Sequence, residues 1–250
     1  MPDGPSILSQ LPKHVQSAVS FYWQTRAKQI AKQKSTGTSD QGLRSAVTGG
    51  AQMDGFIDLL TKLVIEAGIE RSHIFYKESL EIPGYFRPTK QWDFLVVVKG
   101  QLVVALETKS QVGPSFGNNF NNRTEEAMGS ALDLWTAFRE NAYGSATRPW
   151  VGYMFMLEHC QRSGAPVATK SPHFKVFPEF INASYCKRYE LFCRRLVLER
   201  HYDASAFLYS PAEAGLQGAY SEPAEDLTFE RFASSLVAHV AAHSGRIKNL

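Results

Sequence analysis

WDFLVVVKGQLVVALETKSQ, Trp92 to Gln111, is the stretch from which the rest of the chain can be read. Two short apolar runs, WDFLVVV and QLVVALE, flank Lys99-Gly100. Their Val and Leu content, their length and the Gly-containing joint mark a β-hairpin rather than a helix. The polar residues sit at its open end: Asp93 enters the first strand, and Glu107 and Lys109 leave the second. Side chains alternate along a strand, so Glu107 and Lys109 share a face. Ionised groups beside a core carry a large desolvation cost unless something pairs them. A divalent cation is one answer, since two carboxylates, waters and phosphate oxygens suit Mg²⁺. Lys109 can then orient or deprotonate a water, or stabilise charge developing at phosphorus. The spacing is equally compatible with a structural Glu107 to Lys109 ion pair on an exposed strand end.

The hairpin register matters to the metal reading. A regular two-residue Lys99-Gly100 turn sets Val98 opposite Gln101 and Asp93 opposite Leu106, on the face away from Glu107. The metal would then lose a ligand. A three-residue turn of Val98, Lys99 and Gly100, which pairs Asp93 with Ala105, restores the shared face, and so does a bulge. One or the other is expected.

Asp93, the hairpin and Glu107-Thr108-Lys109 resemble the core of the PD-(D/E)xK nucleases, with Trp92 in place of the Pro of that motif. The run ETKSQVGPSFGNNFNNRTEEAMGSALDLWTAFRE is similar to the XhoI-type restriction endonucleases, as are PHFKVFPEF and SYCKRYELFCRRLVLERHYDA further on. The resemblance implies Asp93, Glu107 and Lys109 as the catalytic set, with Asp93 and Glu107 holding Mg²⁺. It implies double-stranded DNA as substrate, cut at the palindrome CTCGAG to leave 5′ overhangs, and functional pairing with a cognate DNA methyltransferase. In many PD-(D/E)xK nucleases an acid on the helix before the hairpin joins the metal, which here offers Asp54 or Asp58. A two-fold symmetric site asks for a two-fold symmetric protein, hence a homodimer. Two other classes remain open: a structure-directed repair or recombination nuclease without sequence preference, and an inactive DNA-binding protein of the same fold.

The composition agrees with a globular α/β protein. The 250 residues are 44% hydrophobic and 20% charged, which excludes wholesale disorder. No apolar run approaches a membrane span, and Met1 to Gln10 lacks the features of a signal peptide, so a cytoplasmic protein is expected. The three cysteines, odd in number and without a CxxC pair, indicate neither a disulfide framework nor a zinc cage. The net charge of +3 is unevenly spread. Residues 1–50 carry six Lys/Arg against two acids and residues 161–200 eight against three, whereas residues 51–160 carry ten against thirteen. An acidic middle between basic flanks suits a metal-using nuclease, with carboxylates at the metal and cations along the phosphates. Solvated helix faces would give the same pattern.

We expect one domain over residues 1–250: a basic helix and loop over 1–50, a catalytic core over 51–160, and DNA-contacting loop and helices over 161–250. Its fold is α/β, with a mixed central sheet flanked by helices and a PD-(D/E)xK core. Helical spacing spans Leu11 to Lys34, followed by a Ser-, Thr- and Gly-rich loop from Ser35 to Gly50 containing Arg44. A second helix runs from about Ala51 to Ala67 and ends at Gly68. Ile74 to Ile82 reads as one strand with Pro83-Gly84 as its turn. VGPSFGNNFNNR after Gln111 reads as a polar loop, with Asn122 and Glu125 making a capping box for the next helix. From that loop Asn118, Asn119, Asn121 and Arg123 can reach base edges, Asn matching adenine and Arg guanine. A structured turn whose Asn residues tolerate positive φ is the alternative. Trp150 to Leu157 reads as a strand buried on both faces. Arg162 to Asn182 is a long basic loop with Lys170, His173 and Lys175, and the helix from Ser184 to Arg200 adds Lys187, Arg188, Arg194 and Arg195 as phosphate contacts. Ala204 to Tyr209 is a strand, and Thr228 to His243 a closing helix.

Overall fold

The computed structural model describes residues 6–36, 50–144 and 147–247. Residues 37–49 of the expected loop, Arg44 among them, lie outside the described residues, and Ser35 and Thr36 belong to the first long helix instead. Seven strands form two sheets among those that are described: β1 (Ile74–Phe75), β2 (Glu81–Pro83), β3 (Thr89–Gln91), β4 (Phe94–Val98), β5 (Gln101–Gln111), β6 (Trp150–Glu158) and β7 (Ala204–Ser210). The longer helices are α1 (Leu11–Thr36), α2 (Asp54–Glu66), α3 (Phe116–Arg139), α4 (Tyr185–Leu198) and α5 (Phe229–Ile247).

The main sheet has the order β1-β4-β5-β6-β7 and is mixed, as expected. β4 pairs antiparallel with β1 and β5, while β5, β6 and β7 run parallel. Apart from Glu158 every residue of β6 is buried, because helices cover both faces of the sheet. One face, with Phe94, Val104, Leu106, Met154 and Leu208, packs on apolar residues of α1, α2 and α5. The other, with Leu95, Ala105, Tyr153, Phe155 and Phe207, packs on α3, α4 and the small β2–β3 sheet. The predicted stripes hold: Val15, Val19, Tyr22 and Trp23 of α1 are buried, and so are Phe56, Ile57, Leu60, Leu63 and Val64 of α2. Gly68, at φ +101°, closes α2, and Ile69 N donates back to Val64 O at 3.3 Å. At the start of α4 the Ser184 hydroxyl accepts from Lys187 N.

The β4–β5 hairpin has the two-residue turn together with a bulge. Lys99 and Gly100 sit at φ 49° and 75°, the doubly positive conformation that a two-residue hairpin turn favours. Val97 pairs with Leu102 but Val96 with Val104, so Val103 is an extra residue in β5. Val103 and Val104 therefore join the same core, while Leu102 and Ala105 join the other. Leu95 pairs with Ala105 and Phe94 with Leu106, which brings Asp93 to the level of Glu107 and Thr108 rather than opposite Ala105.

Two expectations are corrected. The single strand over Ile74 to Ile82 is two short strands in different sheets, separated by bends and by Ser79 at φ 58°. The polar loop after Gln111 is mostly helix: α3 starts at Phe116 with Ser115 as its N-cap, so Asn122 lies two turns inside and caps nothing. The aromatic rings override the low helix propensity of Gly and Asn. Phe116 is buried and stacks on Tyr185 at 5.6 Å, and Phe120 packs edge-on against Tyr189 at 5.0 Å. Those contacts give the first turns of α3 a buried stripe that continues into Ala127, Ala131 and Leu134.

Candidate active site

Asp93, Glu107 and Lys109 meet at the open end of the hairpin. Lys109 Nζ lies 2.8 Å from Glu107 Oε1 and 3.3 Å from Asp93 Oδ2. Asp93 Oδ2 also accepts from Thr108 N at 2.8 Å, so the backbone of β5 fixes its direction. The two acids differ in surroundings: the Asp93 side chain is 37% exposed and that of Glu107 only 5%. Burial pushes the Glu107 carboxyl up, but the ammonium groups of Lys109 and Lys90 more than offset this and hold it below its ordinary value. Burial pushes the Lys109 ammonium down, and Glu107 and then Asp93 outweigh that, leaving it raised. Lys109 is accordingly an ammonium here, able to donate hydrogen bonds and stabilise negative charge rather than to take up a proton.

Glu107 Oε2 is buried and has no hydrogen-bond partner. An ionised oxygen in that position is costly, and a hard cation beside it would satisfy it. The donor set of one part-exposed and one buried carboxylate, with an unpartnered buried oxygen, thus suits a divalent metal. Asp54 and Asp58 stand on α2, where burial, opposed by the charge of Lys77 and aided by that of Asp58, holds the Asp54 carboxyl above its ordinary value. Among the described residues no group of three His, Cys, Asp or Glu is placed to hold a metal, so neither acid is brought together with Asp93 and Glu107.

Two features were missed in the sequence. Lys90, on β3, reaches Glu107 Oε1 at 3.3 Å, and no pattern in TKQWD announces this because β3 belongs to the smaller sheet. Asp133 of α3 is the other. Its carboxylate accepts from Tyr85 N (2.7 Å), Phe86 N (2.8 Å) and Arg87 Nε (2.6 Å), tying down the turn of the small sheet whose β3 carries Lys90.

The expected DNA contacts fall on three elements: the start of α3, the loop after β6, and α4. Asn118 and Asn121 are exposed on the first turns of α3, Asn119 is half-buried, and Arg123 pairs with Glu126 at 2.5 Å. Arg123 also stands near enough to Lys109 to disfavour its charge. Lys170, His173 and Lys175 are exposed in the long loop, which holds only a helical turn at each end. On α4, Lys187 pairs with Glu190 at 2.7 Å, and Arg188 donates to the carbonyls of Ala183 and Val167, anchoring that loop. Arg194 is engaged by Asp226 through two hydrogen bonds, at 2.6 and 2.9 Å, and by Glu190 at 2.9 Å. Arg195 pairs with Glu179.

The family model for restriction endonuclease XhoI matches residues 32–222. The chain is 54% identical over 221 residues to the type II restriction enzyme BstVI of Geobacillus stearothermophilus, covering 86% of this chain and 99% of that protein. It is 42% identical over 207 residues to the type II restriction enzyme XhoI of Xanthomonas vasicola, covering 82% and 83%. To the type II restriction enzyme AbrI of Azospirillum brasilense it is 47% identical over 169 residues, covering 67% and 76%. No solved structure matches it significantly. The chain belongs to the XhoI family of restriction endonucleases. Among the described residues no helix is long and apolar enough to cross a membrane.

Proposed function

We propose that this chain is a Mg²⁺-dependent type II restriction endonuclease with a PD-(D/E)xK core. It hydrolyses phosphodiester bonds of double-stranded DNA at a palindrome, CTCGAG, and leaves 5′ overhangs. The observation that carries the reading is the meeting of Asp93, Glu107 and Lys109 at the end of a bulged central hairpin. The palindrome follows the likeness to XhoI-type enzymes, and the homodimer follows from its two-fold symmetry. In this proposal residues 1–250 form one domain, and the enzyme acts in the cytoplasm alongside a cognate DNA methyltransferase.

Asp93 and Glu107 would hold the metal, which lowers the pKa of bound water and neutralises charge on the phosphate. Thr108 N keeps Asp93 aimed at the shared face, and burial keeps Glu107 Oε2 away from bulk water. Lys109, 2.8 Å from Glu107 Oε1 and 3.3 Å from Asp93 Oδ2, orients the attacking oxygen and stabilises negative charge at phosphorus. Asn118, Asn119, Asn121 and Arg123 approach the DNA from the start of a helix, a common way of entering a major groove. Asp54 and Asp58 stand on α2, which packs on the other face of the sheet, so in this reading the metal rests on Asp93 and Glu107.

Incubation of the protein with a sequenced plasmid and Mg²⁺, followed by mapping of the ends, tests this. Cutting confined to CTCGAG and stopped by EDTA is expected. Scattered cuts would favour the repair-type nuclease, and tight binding without cutting the inactive DNA-binding protein.

A further inference from the structure

Lys90 enters the site from outside the main sheet, yet it is held as firmly as the catalytic set. Its side chain is 11% exposed, and Nζ lies 3.3 Å from Glu107 Oε1. It donates to the Gln91 carbonyl oxygen at 3.0 Å and lies 4.6 Å from the centre of the buried Trp92 ring. Lysine is a flexible, strongly hydrated side chain, and confining it with three partners costs conformational entropy and hydration. Lys109 already pairs with Glu107 at 2.8 Å, so one carboxylate does not require a second ammonium. With Lys90 included, two carboxylates face two ammonium groups, and the site has no net charge to draw in a dication.

We infer that Lys90 is a positioning residue: it fixes Glu107 Oε1 and, by its charge, keeps the affinity of the site for a divalent cation low until a DNA phosphate adds the missing negative charge. The inference rests on the metal-dependent reading above. A unit charge sharing a carboxylate with a dication weakens its binding by on the order of tenfold even where water screens strongly.

Lys90→Met keeps an unbranched chain against Trp92 and removes the charge, whereas Lys90→Arg keeps the charge. Titration of DNA-free protein with Mn²⁺, following the free ion by electron paramagnetic resonance, should show roughly tenfold tighter binding for Lys90→Met. Lys90→Arg should stay close to the unsubstituted protein. Thermal unfolding in EDTA checks that each variant folds, and Lys90→Gln replaces the Met variant if that one does not. Unchanged or weaker Mn²⁺ binding in the neutral variants, or equal tightening in Lys90→Arg, would overturn the inference. The metal reading would survive that result if Glu107→Gln still abolishes binding. Absence of Mn²⁺ binding by every form, with and without CTCGAG duplex, would overturn both.

Discussion

Exchanging Glu107 for Gln, or Asp93 for Asn, removes a negative charge but leaves size and most hydrogen bonding in place. Each change should abolish Mg²⁺-supported cleavage while specific DNA binding, measured in Ca²⁺, stays detectable. Undiminished cutting by both variants would end the metal mechanism. Asp133 governs a different property. Burial pushes its carboxyl up, but the amide of Phe86, the guanidinium of Arg87 and the amide of Tyr85 outweigh that and hold it below its ordinary value. A carboxyl depressed on folding contributes stability that is fully present above its unfolded value, about 3.9, and is lost as pH falls through the folded value. Asp133→Ala should therefore destabilise the protein by about 1–3 kcal/mol near neutral pH, and by much less in strong acid. Thermal unfolding at several pH values reads this directly. A constant difference down to acid would mean that packing rather than the charge is responsible.

At the scale of the element, the start of α3 depends on rings rather than on capping. Ser115 makes no side-chain cap, so Phe116 against Tyr185 and Phe120 against Tyr189 hold the first turns. Phe116→Ala should cost about 3 kcal/mol and speed amide exchange over residues 116–121, with little change beyond Ala127. Uniform loss of protection along the helix would contradict this. The β4–β5 turn offers the opposite case. Lys99 adopts a positive φ that Asn adopts more readily, so Lys99→Asn should raise stability by about 0.5 kcal/mol without altering cleavage.

Across the whole molecule, the basic flanks separate into charges already paired and charges left to solvent. Lys170 and Lys175 are exposed and have no ion pair among the described residues, whereas Arg194 is gripped by Asp226 and Glu190. Lys170→Gln or Lys175→Gln should each lower the salt slope of DNA binding by about one where the side chain meets a phosphate. Arg194→Gln should leave the slope unchanged and lower stability by about 1 kcal/mol, since Arg194 and Asp226 are both partly exposed to solvent. A slope change for Arg194→Gln alone would show that its ion pairs open on DNA.

By itself the sequence determined the elements whose pattern is local and repetitive. The stripe of Phe56, Ile57, Leu60, Leu63 and Val64 specified α2, the unbroken apolar run from Trp150 to Leu157 specified a strand buried on both faces, and the ends of the bulged hairpin placed Asp93, Glu107 and Lys109. Even the need for a bulge or a longer turn followed from counting residues between the two acids, because alternation along a strand leaves no other way to a common face. What remained depended on partners distant in the chain. Only the tertiary structure chose Val103 as the extra residue, because its side chain fits the core that Val104 also joins. Only α4 made a helix of FGNNFNN, by offering Tyr185 and Tyr189 to its two phenylalanines. Lys90 came to Glu107 by the folding of a separate small sheet against β5, and α4 together with Asp226 neutralised the most conspicuous arginine of the basic flank. A periodic pattern states which face a residue occupies, but which groups meet across that face is set by packing between elements.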